Sequence, residues 1–410
     1  MTDTVYRQRD FTLFLALRVF STLAMMIQSV AVGWQVYDLV RSPLALGWVG
    51  LAEFVPMFLL TLPAGALVDR SDQRRVLAYT YVTQALTAVL LAGLTLAHVR
   101  VAWPFYGVVA LFGCARGFYG PAGQSLLPFL VPVERLPRAI ATSASLFQAS
   151  VIVGPALGGL AYALGPQWAY GLCALSYAAA AAIAASLGGR RRPPLTHADG
   201  GPGRVEQVKE GLRYVRSRPV VLGAISLDLF AVLLGGAAAL LPVFARDILH
   251  TSPMGLGMLR SAQGVGATCM ALLLLWRPIR RHTGLKMFAA VALFGVMTIV
   301  FGLSHSFWLS FGALVMLGVT DQISVFIRAS LVQLATPDAM RGRVSAVNML
   351  FIGASNELGE FESGVTASWW GTVPAVIIGG LGTLAVVAIW MRVFRELRQV
   401  DRLESVQAPP

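Results

Sequence analysis

Residues 125–159 and 330–364 read as two copies of one segment, offset by 205 positions, half of this 410-residue chain. Ser125, Leu126, Pro132, Arg138, Ala141, Ala149, Ser150, Gly154 and Gly159 recur as Ser330, Leu331, Pro337, Arg343, Ala346, Ala354, Ser355, Gly359 and Gly364. A weaker echo, offset by 210, pairs Ser42, Pro43 and Gly47 with Ser252, Pro253 and Gly257. A duplication this large constrains the chain to two related units. In a very apolar sequence those units are membrane bundles.

Apolar residues make up 56% of the chain and charged ones 13%, against about a quarter charged in soluble domains. Stretches of about 20 apolar residues, enough to cross a bilayer as a helix, recur near 11–38, 44–68, 75–97, 103–130, 137–163 and 167–187. A second set lies near 219–245, 254–276, 285–304, 307–335, 341–369 and 371–393. The expectation is an all-α membrane protein of twelve spans, with six-helix bundles at 1–187 and 219–410.

The net charge of +12 would suit nucleic acid, but its distribution points elsewhere. Arg7, Arg9, Arg70, Arg74, Arg75, Arg190, Arg191, Arg192, Arg280, Arg281, Arg392 and Arg395 all fall on one side of this topology. Arg41, Arg100 and Arg246 fall on the other. The positive-inside rule therefore puts both termini and the 188–218 connection in the cytoplasm, which for a bacterial chain means the inner membrane. The short polar N-terminus runs into a helix too long for a signal-peptide core, so it is expected to be retained. Cys114, Cys173 and Cys269 lie in predicted helices with no CxxC or histidine spacing, giving no disulfide framework and no metal site. Within 188–218, the Gly- and Pro-rich first part is expected to be flexible. Val205, Val208, Leu212 and Val215 then predict a short amphipathic helix lying on the membrane surface.

Three motifs stand out. Between the second and third spans runs GALVDRSDQRRV, residues 65–76. It resembles the cytoplasmic-loop signature of the major facilitator superfamily, with Gly65, Leu67, Asp69, Arg70, Arg74 and Arg75 in matching places. Asp72 and Gln73 depart from it, and the matching loop of the second half, Arg280 to Gly284, is degenerate. The resemblance implies a gate in which Asp69 faces the start of the eleventh span, where Arg341 or Arg343 would add an ion pair. The fifth span carries VGPALGG, residues 153–159. Gly154, Pro155, Gly158 and Gly159 are similar to the superfamily's antiporter signature. Glycines at i and i+4 admit a close helix neighbour, and a proline loosens the helix. In the fourth span, Arg116 within CARGFYGPA is similar to an arginine linked in the family to proton coupling. Its counterpart in the repeat is Asp321. Loop 336–343 and residues 354–364 resemble bacterial siderophore and macrolide exporters.

Charges at membrane depth cost about 2.5–3.5 kcal/mol each on insertion scales, so Arg18, Glu53, Arg116, Asp228, Asp321, Arg328, Glu357, Glu360 and Glu362 need partners or water. The resemblance makes the first, fourth, seventh and tenth spans line a cavity. The expected substrate and proton pathway is accordingly Arg18, Glu53, Arg116, Asp228, Asp321, Arg328, Glu357 and Glu360. Asp228, Asp321, Glu357 and Glu360 are the candidate proton carriers, and Arg116 the charge that expels the proton. Glu360 stands where the first copy has Pro155. Met25, Met26, Trp34, Gln35, Tyr37, Phe112, Tyr119 and Phe230 are candidates for an adaptable apolar lining. No phosphate loop or nucleophile–base spacing points to an enzyme, and no cofactor is expected. The reading is a secondary transporter, working as a monomer, that exports small amphiphilic molecules, a drug or a siderophore, in exchange for protons. Uptake, lipid translocation and a non-transporting receptor or scaffold remain alternatives.

Overall fold

The computed structural model describes residues 2–188 and 204–403; the Gly- and Pro-rich stretch at 189–203, expected to be flexible, lies outside the described residues. All twelve expected segments are helical. They form α1 (Thr2–Val40), α2 (Pro43–Arg70), α3 (Gln73–Leu96), α4 (Trp103–Leu130), α5 (Leu136–Ala163) and α6 (Pro166–Ser186). After α7 (Arg204–Ser217) come α8 (Pro219–Leu234), the short α9 (Leu241–Val243), α10 (Pro253–Trp276), α11 (Thr283–Leu303), α12 (Phe307–Ala335), α13 (Asp338–Trp370), α14 (Thr372–Val393) and α15 (Arg395–Gln399).

Among the described residues ten helices are long and apolar enough to cross a membrane. α13 is not one of them although it has 33 residues: Glu357, Glu360 and Glu362 crowd its second half. The seventh span is broken. α8 ends at Gly235, and the chain continues through a tight turn, α9 and a π-type turn in which the Leu249 N–H reaches the Phe244 carbonyl at 2.8 Å.

The chain forms two compact units. Unit 1 comprises Met1–Arg41, Trp48–Gly201 and Thr251–Ser261, and unit 2 comprises Ser42–Gly47, Pro202–His250 and Ala262–Pro410. These boundaries depart from 1–187 and 219–410 in two ways. The first turns of α2 and of α10 each pack with the unit opposite to the rest of their helix, for a reason given below. α7 also belongs to unit 2. Val215 is fully buried in a cluster with Val221, Ile225, Val332, Ala335, Val344 and Val347. The Tyr214 hydroxyl donates to the Ala335 carbonyl at 2.6 Å, and Arg343 pairs with Glu210 at 2.6 Å. Of the apolar face assigned to a membrane surface, Val208 and Val215 are thus taken up by protein, against the end of α12 and the start of α13, while Leu212 stays exposed.

Candidate functional site

Gly154, Pro155, Gly158 and Gly159 are buried and look two ways. At i and i+4, Gly154 and Gly158 meet α1. A Cβ at Gly154 would lie 2.5 Å from Met26 Cβ, and one at Gly158 2.9 Å from Ile27 Cα. Gly159 and the Pro155 carbonyl meet the start of α10 instead. A Cβ at Gly159 would overlap the Pro253 carbonyl, and one at Gly257 would overlap that of Pro155. Backbone therefore meets backbone, which only glycine permits. The Ser261 hydroxyl seals the contact by donating to the Ile152 carbonyl at 2.6 Å, and Arg260 donates to Ser29.

Unit 2 repeats this arrangement from the second copy. A Cβ at Gly364 would come within 2.9 Å of Gly47 Cα, and one at Gly47 within 3.2 Å of the Phe361 carbonyl. Gly359, the counterpart of Gly154, faces the Leu233 carbonyl near the break in α8. The two sequence echoes, at 205 and 210, are thus the two sides of one contact made twice. That is why short pieces of α2 and α10 group away from their own helices.

The loop motif is built mainly of ties inside unit 1. Asp72, the departure from the signature, is the N-cap of α3 and accepts the Arg74 N–H at 3.1 Å. The Arg74 guanidinium donates to the Leu187 carbonyl at 2.5 Å, holding the end of α6. Buried Asp10 accepts the next amide, Gly188 N–H, at 3.2 Å. Gly65 is buried and Arg75 exposed; the side chains of Asp69 and Arg70 lie outside the described residues. Arg341 is exposed on α13, and Arg343 is held by Glu210 of α7. The degenerate loop of unit 2 is closed by a different device. Asp401, near the chain end, accepts the His282 N–H at 2.8 Å with its carboxylate and the Thr283 N–H at 3.1 Å with its carbonyl.

Two ion pairs stand out among the charges at membrane depth in the described residues. In unit 1 Arg116 of α4 binds Glu53 of α2. Gly113 permits this by bringing α4 onto the Glu53 backbone carbonyl, which a Cβ there would overlap. In unit 2 Arg328 of α12 binds Asp228 of α8, and both side chains are nearly inaccessible. Gly318, the counterpart of Gly113, makes the same close approach to the Gln263 carbonyl of α10. Gln263 thus stands where unit 1 has Glu53, and Asp321 where it has Arg116. Among the described residues Asp321 makes no hydrogen bond and no ion pair. Glu357 and Glu360 are half-buried on α13.

Arg18 of α1 donates to Ser143 Oγ at 2.9 Å and lies over the Phe147 ring at 5.3 Å. Several expected lining residues prove to be core. Trp34, Gln35, Tyr37 and Phe112 are buried. The Gln35 amide donates to Thr95 Oγ1 at 2.9 Å and its oxygen accepts from the Tyr170 hydroxyl at 2.6 Å, while Phe112 packs on Tyr177. Their size and polarity suited a cavity, but neighbours within unit 1 satisfy them. Phe230 stays partly exposed beside Trp390. Of the partners, Ser143, Glu210 and Asp401 carried no signal in the sequence. Gln263 did, since it lies 210 positions after Glu53.

Comparison with known proteins agrees with this architecture. Residues 4–409 match the model of a family described as transmembrane secretion effectors. The chain is 30% identical over 296 residues to the multidrug efflux pump Tap of Mycobacterium tuberculosis, covering 67% of each chain. It is 25% identical over 391 residues to the enterobactin exporter EntS of Citrobacter koseri, covering 94% of this chain and 92% of that one. Among solved structures, a bacterial homologue of the human lysosomal transporter Spinster superposes with a TM-score of 0.71 at 13% identity, over 99% of each chain. A POT family transporter gives 0.72 at 12% identity, over 95% and 96%. These relatives are transporters, not enzymes. The protein is a multi-pass secondary transporter for small molecules, and it belongs to the transmembrane secretion effector family of the major facilitator superfamily.

Proposed function

We propose that this transporter exports small amphiphilic molecules in exchange for protons, by alternating access, as a monomer in the bacterial inner membrane with both termini cytoplasmic. Direction is supported by the relatives, named as a multidrug efflux pump and an enterobactin exporter, and by the antiporter-type motif at 153–159. Orientation is supported by the clustered arginines. The observation that carries proton coupling is Asp321: a carboxylate in a membrane-spanning helix with no ion-pair partner among the described residues, at the place where the other repeat holds its charge in a salt bridge. Crowding and poor hydration favour the protonated form of a carboxyl group in general, and an unclamped one can exchange its proton as the bundle changes exposure. The paired residues, Glu53 with Arg116 and Asp228 with Arg328, then serve to hold helices and set the local field.

The test uses proteoliposomes with an internal pH dye and ethidium as the transported probe. In wild type, an imposed pH gradient drives ethidium movement and an ethidium gradient moves protons. Asp321→Asn keeps ethidium binding and loses both. Gradient-independent movement, or coupling that survives in both Asp321→Asn and Arg116→Ala, overturns the reading.

A further inference from the structure

Among the described residues Arg18 has no counter-charge: no carboxylate lies within ion-pair distance of it. Two acids of unit 1 are bonded elsewhere, Glu53 to Arg116 and Asp10 to the Gly188 N–H. A guanidinium carries five N–H donors; the Ser143 hydroxyl accepts one of them. Its Nε is buried without any hydrogen-bond partner. Nor is this a residue at a helix end reaching for water. Arg18 lies nine residues into α1 from exposed Arg9, about 13 Å along the axis at 1.5 Å per residue, inside the hydrocarbon depth. Arg18 is partly buried with its Nε closed off from water, and holding such a cation without a bonded anion is costly.

The surroundings are arranged to present it. Ser143 and Phe147, one turn apart on α5, hold the guanidinium by a hydrogen bond and by a ring face. At the Arg18 backbone, Ser21 Oγ donates to the carbonyl at 3.2 Å and itself accepts from the Tyr81 hydroxyl at 3.3 Å, and the Tyr119 ring lies 6.1 Å from that of Tyr81. A charged fork beside an aromatic face is the chemistry that binds a carboxylate, sulfonate or phosphate attached to an apolar body.

We propose that Arg18, with Ser143 and Phe147, forms an anion-binding subsite in unit 1 that receives the acidic group of an amphiphilic ligand. The inference rests on the transport reading and narrows it, since it makes acidic amphiphiles a preferred substrate class. An anionic lipid headgroup shares this chemistry, so the test separates the two sources.

Full-length protein in phosphatidylcholine nanodiscs is titrated with 1-pyrenebutyrate and with neutral 1-pyrenebutanol, which share ring and chain. Wild type is expected to bind the acid about tenfold tighter or better, the scale of one charge-assisted hydrogen bond. Arg18→Gln removes that preference while keeping pyrenebutanol binding and the melting temperature, and Arg18→Lys keeps part of it. Ser143→Ala, which retains the charge but frees the guanidinium, weakens the acid by about three- to tenfold and serves if Arg18→Gln fails to fold. Adding phosphatidylglycerol that competes with the acid only when Arg18 is present supports the subsite and names the bilayer as a source. Absence of competition supports it with a dissolved anion as the ligand. Equal binding of the two probes by wild type, or a preference that survives in Arg18→Gln, overturns the proposal. Wild type that shows the Arg18-dependent preference yet transports nothing sinks the transport reading and leaves the subsite standing.

Discussion

At one matched place the two units share a backbone contact and differ in chemistry. In unit 1 Gly113 closes α4 onto the carbonyl of Glu53, and Arg116, three residues on, clamps that glutamate. In unit 2 Gly318 closes α12 onto the carbonyl of Gln263, and the residue three on is Asp321. The acid has moved to the other helix and its partner has become a neutral amide. Arg328, two turns away, is committed to Asp228. The two repeats thus share the scaffold, while the second carries at this place a carboxylate with no bonded partner among the described residues. A clamped pair resists changes of protonation because losing either charge strands the other. An unclamped acid has no such brake.

The largest expected effect comes from restoring the clamp. Gln263→Arg would give Asp321 the partner that its counterpart has and should abolish proton-coupled movement in proteoliposomes as completely as Asp321→Asn. Coupling that persists would show that the difference between the units has no role in transport.

Stability of the clamps comes next. Arg328→Met strands Asp228 in a nearly inaccessible site and should cost about 3–5 kcal/mol, read as a large drop in melting temperature in detergent. Replacing both as Asp228→Leu/Arg328→Met should recover most of it. The Glu53–Arg116 pair is 21% and 27% accessible, so Arg116→Met should cost less, because solvent screens the glutamate left behind. Equal losses at the two sites would undo the distinction drawn from burial.

The glycine contacts offer a finer comparison. A methyl at Gly257 would overlap the Pro155 carbonyl, whereas one at Gly47 meets the Phe361 carbonyl at 3.2 Å. Gly257→Ala should therefore destabilise by about 1–3 kcal/mol through overpacking and slow transport. Gly47→Ala should be milder on both measurements.

The smallest effects concern the loops. Asp72→Ala removes the N-cap of α3 and should cost about 1 kcal/mol. Asp401→Ala should cost less, since its side chain is half exposed and its carbonyl bond to Thr283 survives. Deleting the chain after Phe394 removes both bonds together with buried Leu397 and Val400 and should lower the melting temperature further than Asp401→Ala does. A neutral deletion would make the tail dispensable.

Much of this was legible in the chain itself. Hydrophobic length and a 205-residue echo determined the helices and their duplication, because a bilayer leaves no other way to satisfy a buried backbone. The glycines of 154–159 were visible as a close-contact motif, and the charges were visible as expensive. What only the tertiary structure decided was the partner of each. Position in the repeat gives Arg116 a counterpart, Asp321, but no partner, and the structure holds it on Glu53, 63 residues earlier. The apolar face of α7 looked like a membrane contact, yet Val208 and Val215 pack on α8, α12 and α13 while Leu212 stays exposed. Trp34, Gln35 and Phe112 looked like lining and are core. Helix formation and membrane depth follow from local composition, which the sequence carries directly. Pairing follows from which helix faces meet across tens or hundreds of residues, and that is settled only when side-chain shapes close against one another.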